Sequence, residues 1–226
     1  MGKKIDEALP ESKELLNLLL SHKQIRVIEK AIKGIKKRPS NYNIDFFWEL
    51  DASIGGIGGY CMQFNPTSNP FPAGIGRSLF RPLQYAASEI ERNKDIYYNA
   101  KWVVLNSGLH LEAVTKYIMK KTSNITVKIN AKRTTLGKSI KILEEGKVLP
   151  SNLTKPLSLL LRLYNKSKHE VNEDEERERL FSPADALIAY ISARILGKEL
   201  LRPYYSEILK SIEKYLGRLK RLNMNL

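Results

Sequence analysis

Cysteine is all but absent from this chain: Cys61 is the only one in 226 residues. No internal disulfide can form, and no multi-cysteine metal site can be built. A lone thiol suits a reducing cytosol. Cys61 has no histidine near it in sequence, so it reads as a buried residue rather than a nucleophile. Histidine is scarce too, and His22, His110 and His169 stand at spacings that fit no metal-ligand pattern. No metal and no other cofactor is expected. No apolar run approaches the roughly 18–20 residues that cross a membrane. The opening residues, from Met1 to Asp6, lack the apolar core of a signal peptide, and Asp6 stands where a myristoylation motif wants Ser or Thr. The expectation is a cytoplasmic protein with no membrane partner.

Phosphate loops are missing as well. The glycines of Gly55-Gly56-Ile57-Gly58-Gly59 fit neither Gly-x-x-x-x-Gly-Lys-Ser/Thr nor Gly-x-Gly-x-x-Gly. Ser107 lies outside any Gly-x-Ser-x-Gly elbow. Acidic residues are outnumbered: 38 Lys and Arg face 24 Asp and Glu, a net charge of +14, with a sequence pI of about 9.7. That excess favours a polyanionic partner, most simply RNA or DNA. It is unevenly placed. Residues 1–40 carry ten basic against five acidic residues, residues 41–80 one against three, and residues 81–226 the remaining 27 against 16.

What is present is helical periodicity. Leu15, Leu18 and Leu19 suggest a first short helix. Ser21 and Gln24 resemble a capping box for a second, whose stripe is Ile25, Ile28, Ile32 and Ile35 and which Pro39 ends. Residues 1–40 thus form an N-terminal helical pair. Residues 41–80, rich in Gly, Pro and aromatics, read as a connector that packs Phe46, Phe47 and Trp48 on the main domain, with a substrate lid as the alternative. A helical bundle with a C-terminal amphipathic helix is expected over 81–226. There Pro82 suits a first turn, Asn106-Ser107-Gly108 a break or kink, and Thr134 or Thr135 a helix start that Gly146 stops. Residues 172–179 read as a charged, solvated turn. Ser182-Pro183, followed by Asp185, starts a helix apolar nearly all round. Lys210, Lys214, Arg218 and Arg221 lie on one face of the last helix, either to bind phosphates or simply as a solvated basic face. The fold class is all-α.

One stretch carries chemistry. Arg162-Leu163-Tyr164-Asn165-Lys166-Ser167-Lys168-His169-Glu170 follows the apolar Leu159-Leu160-Leu161 and reads as the polar end of a helix. At about 3.6 residues per turn, Arg162 and His169 fall on one face, with Asn165 and Lys166 beside them. Histidine suits proton transfer because its unperturbed pKa is about 6.5. The planar fork of arginine suits the charge of a phosphorane. Asn165 is placed to orient His169 or donate to a phosphate, and Lys166 and Lys168 to hold an RNA backbone. One copy supplies one histidine, so an acid and a base together require two copies across a two-fold axis, which predicts a homodimer. The plainer alternative is that cations gather here because the helix C-terminus is negative. His110 and Glu112 are candidates for a supporting pair, Glu112 by orienting an imidazole or holding Arg162, or are surface polar residues at a helix start.

Arg-x6-His, written here as Leu-Tyr-Asn-Lys-Ser-Lys-His after Arg162, resembles the signature of the HEPN superfamily (higher eukaryotes and prokaryotes nucleotide-binding). The six intervening residues are at the upper limit of that family's range. Ser107 to Glu112, Thr135 to Lys138 and Asp185 to Leu201 resemble further parts of the bundle, so the resemblance covers roughly residues 82–202. It implies a HEPN-type helical bundle with an N-terminal helical extension. It also implies a dimeric, metal-independent endoribonuclease of toxin–antitoxin or phage-defence systems, with an antitoxin or other protein partner. Arg162, His169 and Asn165 would be catalytic, and Lys166 and Lys168 would bind RNA. Leu163 stands where active members often carry a polar residue. The alternative is a non-catalytic HEPN-like RNA-binding or dimerisation module.

Overall fold

The computed structural model describes residues 7–37, 44–59, 75–91, 96–129, 131, 134–169 and 180–223. Among them every regular element is a helix, so the all-α expectation holds. In chain order these are α1 (Pro10–Leu19), α2 (His22–Lys37), α3 (Asp45–Ile54), α4 (Ile75–Glu91) and α5 (Ile96–Lys121). After them come α6 (Ile125–Ile129), α7 (Leu136–Glu145), α8 (Ser151–His169), α9 (Pro183–Leu201), a 3₁₀ turn (Arg202–Tyr204) and α10 (Tyr205–Asn223). None is long and apolar enough to cross a membrane among the described residues.

α9 is the axis of the molecule. Its residues from Pro183 to Arg194 are all buried, as an all-round apolar pattern requires. Helices α1 to α5 and α8 pack around it. Each fully buried Leu or Ile in this centre contributes about 1.5–3 kcal/mol of transfer free energy. The start of α9 is a reciprocal capping box: Ser182 Oγ accepts from the Asp185 amide, and Asp185 accepts from the Ser182 amide at 2.8 Å. Asp185 does more than cap. Its Oδ1 accepts from the Leu9 amide at 2.8 Å and from Ser12 Oγ at 2.6 Å, pinning the entry of α1 to the start of α9. The expected box at the start of α2 is also formed, with the Ser21 amide donating to Gln24 Oε1 at 2.9 Å. Thr135 caps α7, and Gly146 ends it. In α1, Leu15 and Leu16 face inward, and Leu18 faces out.

Three expectations are corrected. Residues 45–54, read as connector, form α3, whose Phe47 and Trp48 pack edge-on at 5.1 Å and sit against Tyr190 of α9. Pro82 does not begin a helix but lies inside α4, where the burial of Leu79, Phe80, Leu83, Ala86 and Ala87 outweighs a missing backbone bond. No break occurs at Asn106-Ser107-Gly108, since α5 runs through it. Ser107 Oγ donates to the Val103 carbonyl at 2.8 Å and needs no turn. Gly108 serves closeness rather than flexibility: a Cβ there would overlap Cγ and Cδ2 of Tyr164 on α8. The residues expected as a charged turn, 172–179, and Cys61 lie outside the described residues.

The glycine run after α3 has a definite task. Gly55 and Gly58 adopt φ of 69° and 94°, which L side chains avoid. This turns backbone carbonyls towards α9. Arg194, 1% exposed, donates Nε to Asp51 Oδ1 at 2.6 Å and its two terminal nitrogens to the carbonyls of Ile57 and Gly55 at 2.9 and 3.0 Å. Lys198 donates to the Ile54 carbonyl at 2.6 Å.

The close α5–α8 approach predicts a cost for Gly108→Ala. Alanine is the better helix former by roughly 1 kcal/mol. Overpacking costs about 1–3 kcal/mol and prevails here, because the opposing atoms are the root of a buried ring and cannot swing away. The expected result is a thermal midpoint lower by roughly 2–8 °C. An unchanged or raised midpoint would show that α8 does not sit on Gly108.

Candidate functional site

α8 forms because Leu153, Leu157, Leu160, Leu163 and Tyr164 recur at helical spacing and are all buried. Pro156 is accommodated in the second turn, and Lys166, Lys168 and His169 favour the negative end of the last turn. With that face inward, Arg162, Asn165 and His169 must point out, and all three are exposed. Among the described residues, none of the three side chains takes a hydrogen bond or an ion pair.

Their lysine neighbours are engaged. Lys166 Nζ lies 2.9 Å from Glu11 of α1, and Lys155 Nζ lies 2.6 Å from Glu14, so α1 flanks α8 on one side. Lys168 Nζ lies 3.9 Å above the Tyr164 ring and 3.9 Å from Glu112 Oε2, so α5 flanks it on the other. Such partly exposed pairs contribute about 0–1 kcal/mol each. They leave the two lysines less free to take a phosphate than Arg162 is.

Glu112 touches α8, but through neither of the partners considered for it. It accepts from the Tyr164 hydroxyl at 3.1 Å and pairs with Lys116 at 2.7 Å, and neither Arg162 nor His169 is bonded to it. Burial opposes its ionisation, and Lys116, Tyr164 and Lys168 together outweigh burial and hold its carboxyl below the usual range. Burial first, and then the Glu112 charge, push the Tyr164 hydroxyl up. The Glu112–Tyr164 tie was not readable from the sequence, because only the stacking of α8 on Gly108 brings the two residues together.

His110 stands apart from this group, and it is no surface residue. It is 1% exposed, with Nδ1 2.7 Å from the Leu79 carbonyl, its ring against Phe80 and Nε2 over Gly197 of α9. The bond to a carbonyl assigns the proton to Nδ1. A second proton would place a charge in the core. Burial, aided by Arg194 and opposed by the Leu79 carbonyl, lowers its pKa to about 4. The folded value thus lies below the unfolded one of about 6.5, so the unfolded chain binds the proton first. This contribution to stability is complete above pH 6.5 and is lost as the pH falls towards 4, about 3 kcal/mol in all. Unfolding free energies measured across that window should fall more steeply for the wild type than for His110→Gln. Equal slopes would mean that the imidazole is not buried neutral.

A small pocket lined by Ile118, Leu143, Leu149 and Tyr204 lies elsewhere, between α5, α7 and the end of α9, and contains no part of the α8 stripe. Among the described residues no three His, Cys, Asp or Glu side chains converge as a metal site requires. Lys210 and Lys214 are exposed on α10, and the side chains of Arg218 and Arg221 lie outside the described residues. Compared with protein-family models, with curated proteins and with solved structures, the chain matches none.

Proposed function

We propose that this chain is an RNA-binding endoribonuclease of HEPN type that cuts without a metal and acts as a pair of identical copies. The observation that carries this reading is the α8 stripe of Arg162, Asn165 and His169. It is polar and exposed, and it is free of partners among the described residues. A surface whose charges are already matched has little to offer a phosphate, and this stripe is unmatched. The net charge of +14 supplies the long-range attraction to a polyanion.

The ribose 2′-oxygen attacks the adjacent phosphorus, and the bond to the 5′-oxygen breaks. His169 of one copy takes the 2′ proton, and the same residue of the second copy protonates the leaving oxygen. Arg162 binds the non-bridging oxygens as charge builds on them. The products are a 2′,3′-cyclic phosphate and a 5′-hydroxyl. The biological setting suggested by the motif is a toxin or phage-defence system with an antitoxin or other partner, inside the cytoplasm.

The test is incubation of the purified full chain with RNA in EDTA, followed by analysis of the ends. Cyclic phosphate ends are expected. Intact RNA with a folded, dimeric protein would overturn the cleavage step. A second reading, a binding or dimerisation module, is favoured by one observation. Leu163 is buried in the core and gives Arg162 no polar neighbour at that position. Under that reading RNA is retained in a salt-sensitive way and never cut.

A further inference from the structure

α4 and α5 form an antiparallel hairpin beside α8, and its outer face carries two aromatic rings that packing does not explain. Trp102 is 49% exposed and Tyr85 53%. The only other tryptophan, Trp48, is buried at 7%. Each exposed ring has a cation against it: Lys101 Nζ lies 5.4 Å from the Trp102 centroid, and the Arg81 guanidinium carbon lies 5.9 Å from that of Tyr85.

The hairpin register puts the rings at one level. His110 on α5 bonds the Leu79 carbonyl on α4. From that crosslink Tyr85 is six residues along α4, a rise of roughly 9 Å, and Trp102 is eight residues back along α5, roughly 12 Å. The two rings therefore stand within roughly 3 Å in height on neighbouring helices. Leu105 and Leu109 extend the Trp102 stripe along α5, since they recur at three- and four-residue steps. α8 sits on the other flank of α5, where Gly108 receives the Tyr164 ring.

We infer that the outer face of the α4–α5 hairpin is a stacking platform for the unpaired bases of single-stranded RNA, with Trp102 and Tyr85 as its rings. This rests on the proposal that RNA is the partner, but not on cleavage. Aromatic rings interleaved with cations suit single strands, because every base has a face to stack and the backbone runs past the cations. Exposed Arg77 adds to the positive charge of this face, and the partly exposed Glu89 is the acidic residue one turn from Tyr85. In a duplex the bases are stacked on one another and cannot lie on the rings.

The intrinsic fluorescence of the full chain tests this directly, with a 12-nucleotide uridine oligomer, a blunt RNA duplex and inorganic phosphate as probes. The oligomer should quench the exposed tryptophan, and the duplex and phosphate should not. Trp102→Ala should weaken oligomer binding roughly tenfold, Tyr85→Ala somewhat less, and Trp102→Phe should retain most of the affinity. Both side chains are half exposed, so circular dichroism should show the variants folded. Oligomer affinities unchanged in both alanine variants would overturn the platform. So would equal quenching by the duplex, or a Trp102→Ala effect confined to subunit association in sedimentation. The two readings separate cleanly. Quenching without cleavage leaves the platform standing and removes the catalytic α8, whereas cleavage with no Trp102 dependence does the reverse. A chain that binds none of the RNA probes removes both.

Discussion

Asp51→Ala is expected to lower the unfolding free energy by about 3–5 kcal/mol. Arg194 would remain in a site where it is 1% exposed, with two backbone carbonyls but no counter-charge. The guanidinium cannot shed its proton to escape the penalty, because its pKa exceeds about 12. Domains are stable by only about 5–15 kcal/mol, so this one change removes a large share. Asp51→Asn keeps an acceptor for Arg194 Nε without the charge and should fall between. The pair need not be a net gain over apolar residues. Joint replacement by Leu at 51 and Met at 194 should recover much of the loss of the single variant, leaving the Ile57 and Gly55 carbonyls as the residual cost. Urea unfolding at pH 7 measures all four proteins. A loss under about 1 kcal/mol for Asp51→Ala would mean that α3 does not dock on α9 as described.

His169→Ala is expected to reduce RNA cleavage by roughly 10²–10⁴-fold, the usual contribution of a positioned proton-transfer group. The same change should move stability by no more than about 0.5 kcal/mol, because the side chain is exposed and unpartnered among the described residues. That separation matters, since a drop in both would indicate a folding defect. Arg162→Ala should act in the same direction. Arg162→Lys should recover only part of the rate, because an ammonium keeps the charge and loses the bidentate fork. Asn165→Ala should have the smallest effect of the three if its role is to orient the imidazole. Initial rates on one labelled RNA in EDTA provide the comparison. Cleavage that survives His169→Ala at the wild-type rate belongs to some other group or to a contaminant, and the catalytic reading of α8 fails.

Several features were legible because they depend on residues three or four apart. The box at Ser21/Gln24, the Ser182 N-cap before Pro183, a threonine cap at 134 or 135 and the all-round apolar α9 each follow from local hydrogen bonding or periodicity, while the structure adds that Asp185 closes a reciprocal box and that Thr135 is the cap. The shared face of Arg162 and His169 on α8 follows in the same way, from their seven-residue spacing, whereas the burial of Leu163 is visible only in the structure. Where local rules were misread, a distant contact had prevailed. Gly108 looked like a break and is instead the floor under Tyr164. Pro82 looked like a helix start and is carried inside α4 by the burial around it. His110 looked like a polar surface residue, and it is held in the core by a carbonyl and Phe80.

What the sequence by itself determined is the helical class, the capped starts of α2, α7 and α9, and the stripe that puts Arg162, Asn165 and His169 on one side of α8. These rest on interactions within one or two turns, which a linear chain displays. Only the tertiary structure decided which charges are matched. Asp51 meets Arg194 across 143 residues, Asp185 meets Ser12 across 173, and Tyr164 meets Glu112 across 52. No periodicity encodes such pairs, because they exist only after helices far apart in sequence have buried their apolar faces together. That packing engages Lys166 and Lys168 and leaves Arg162, Asn165 and His169 facing the solvent.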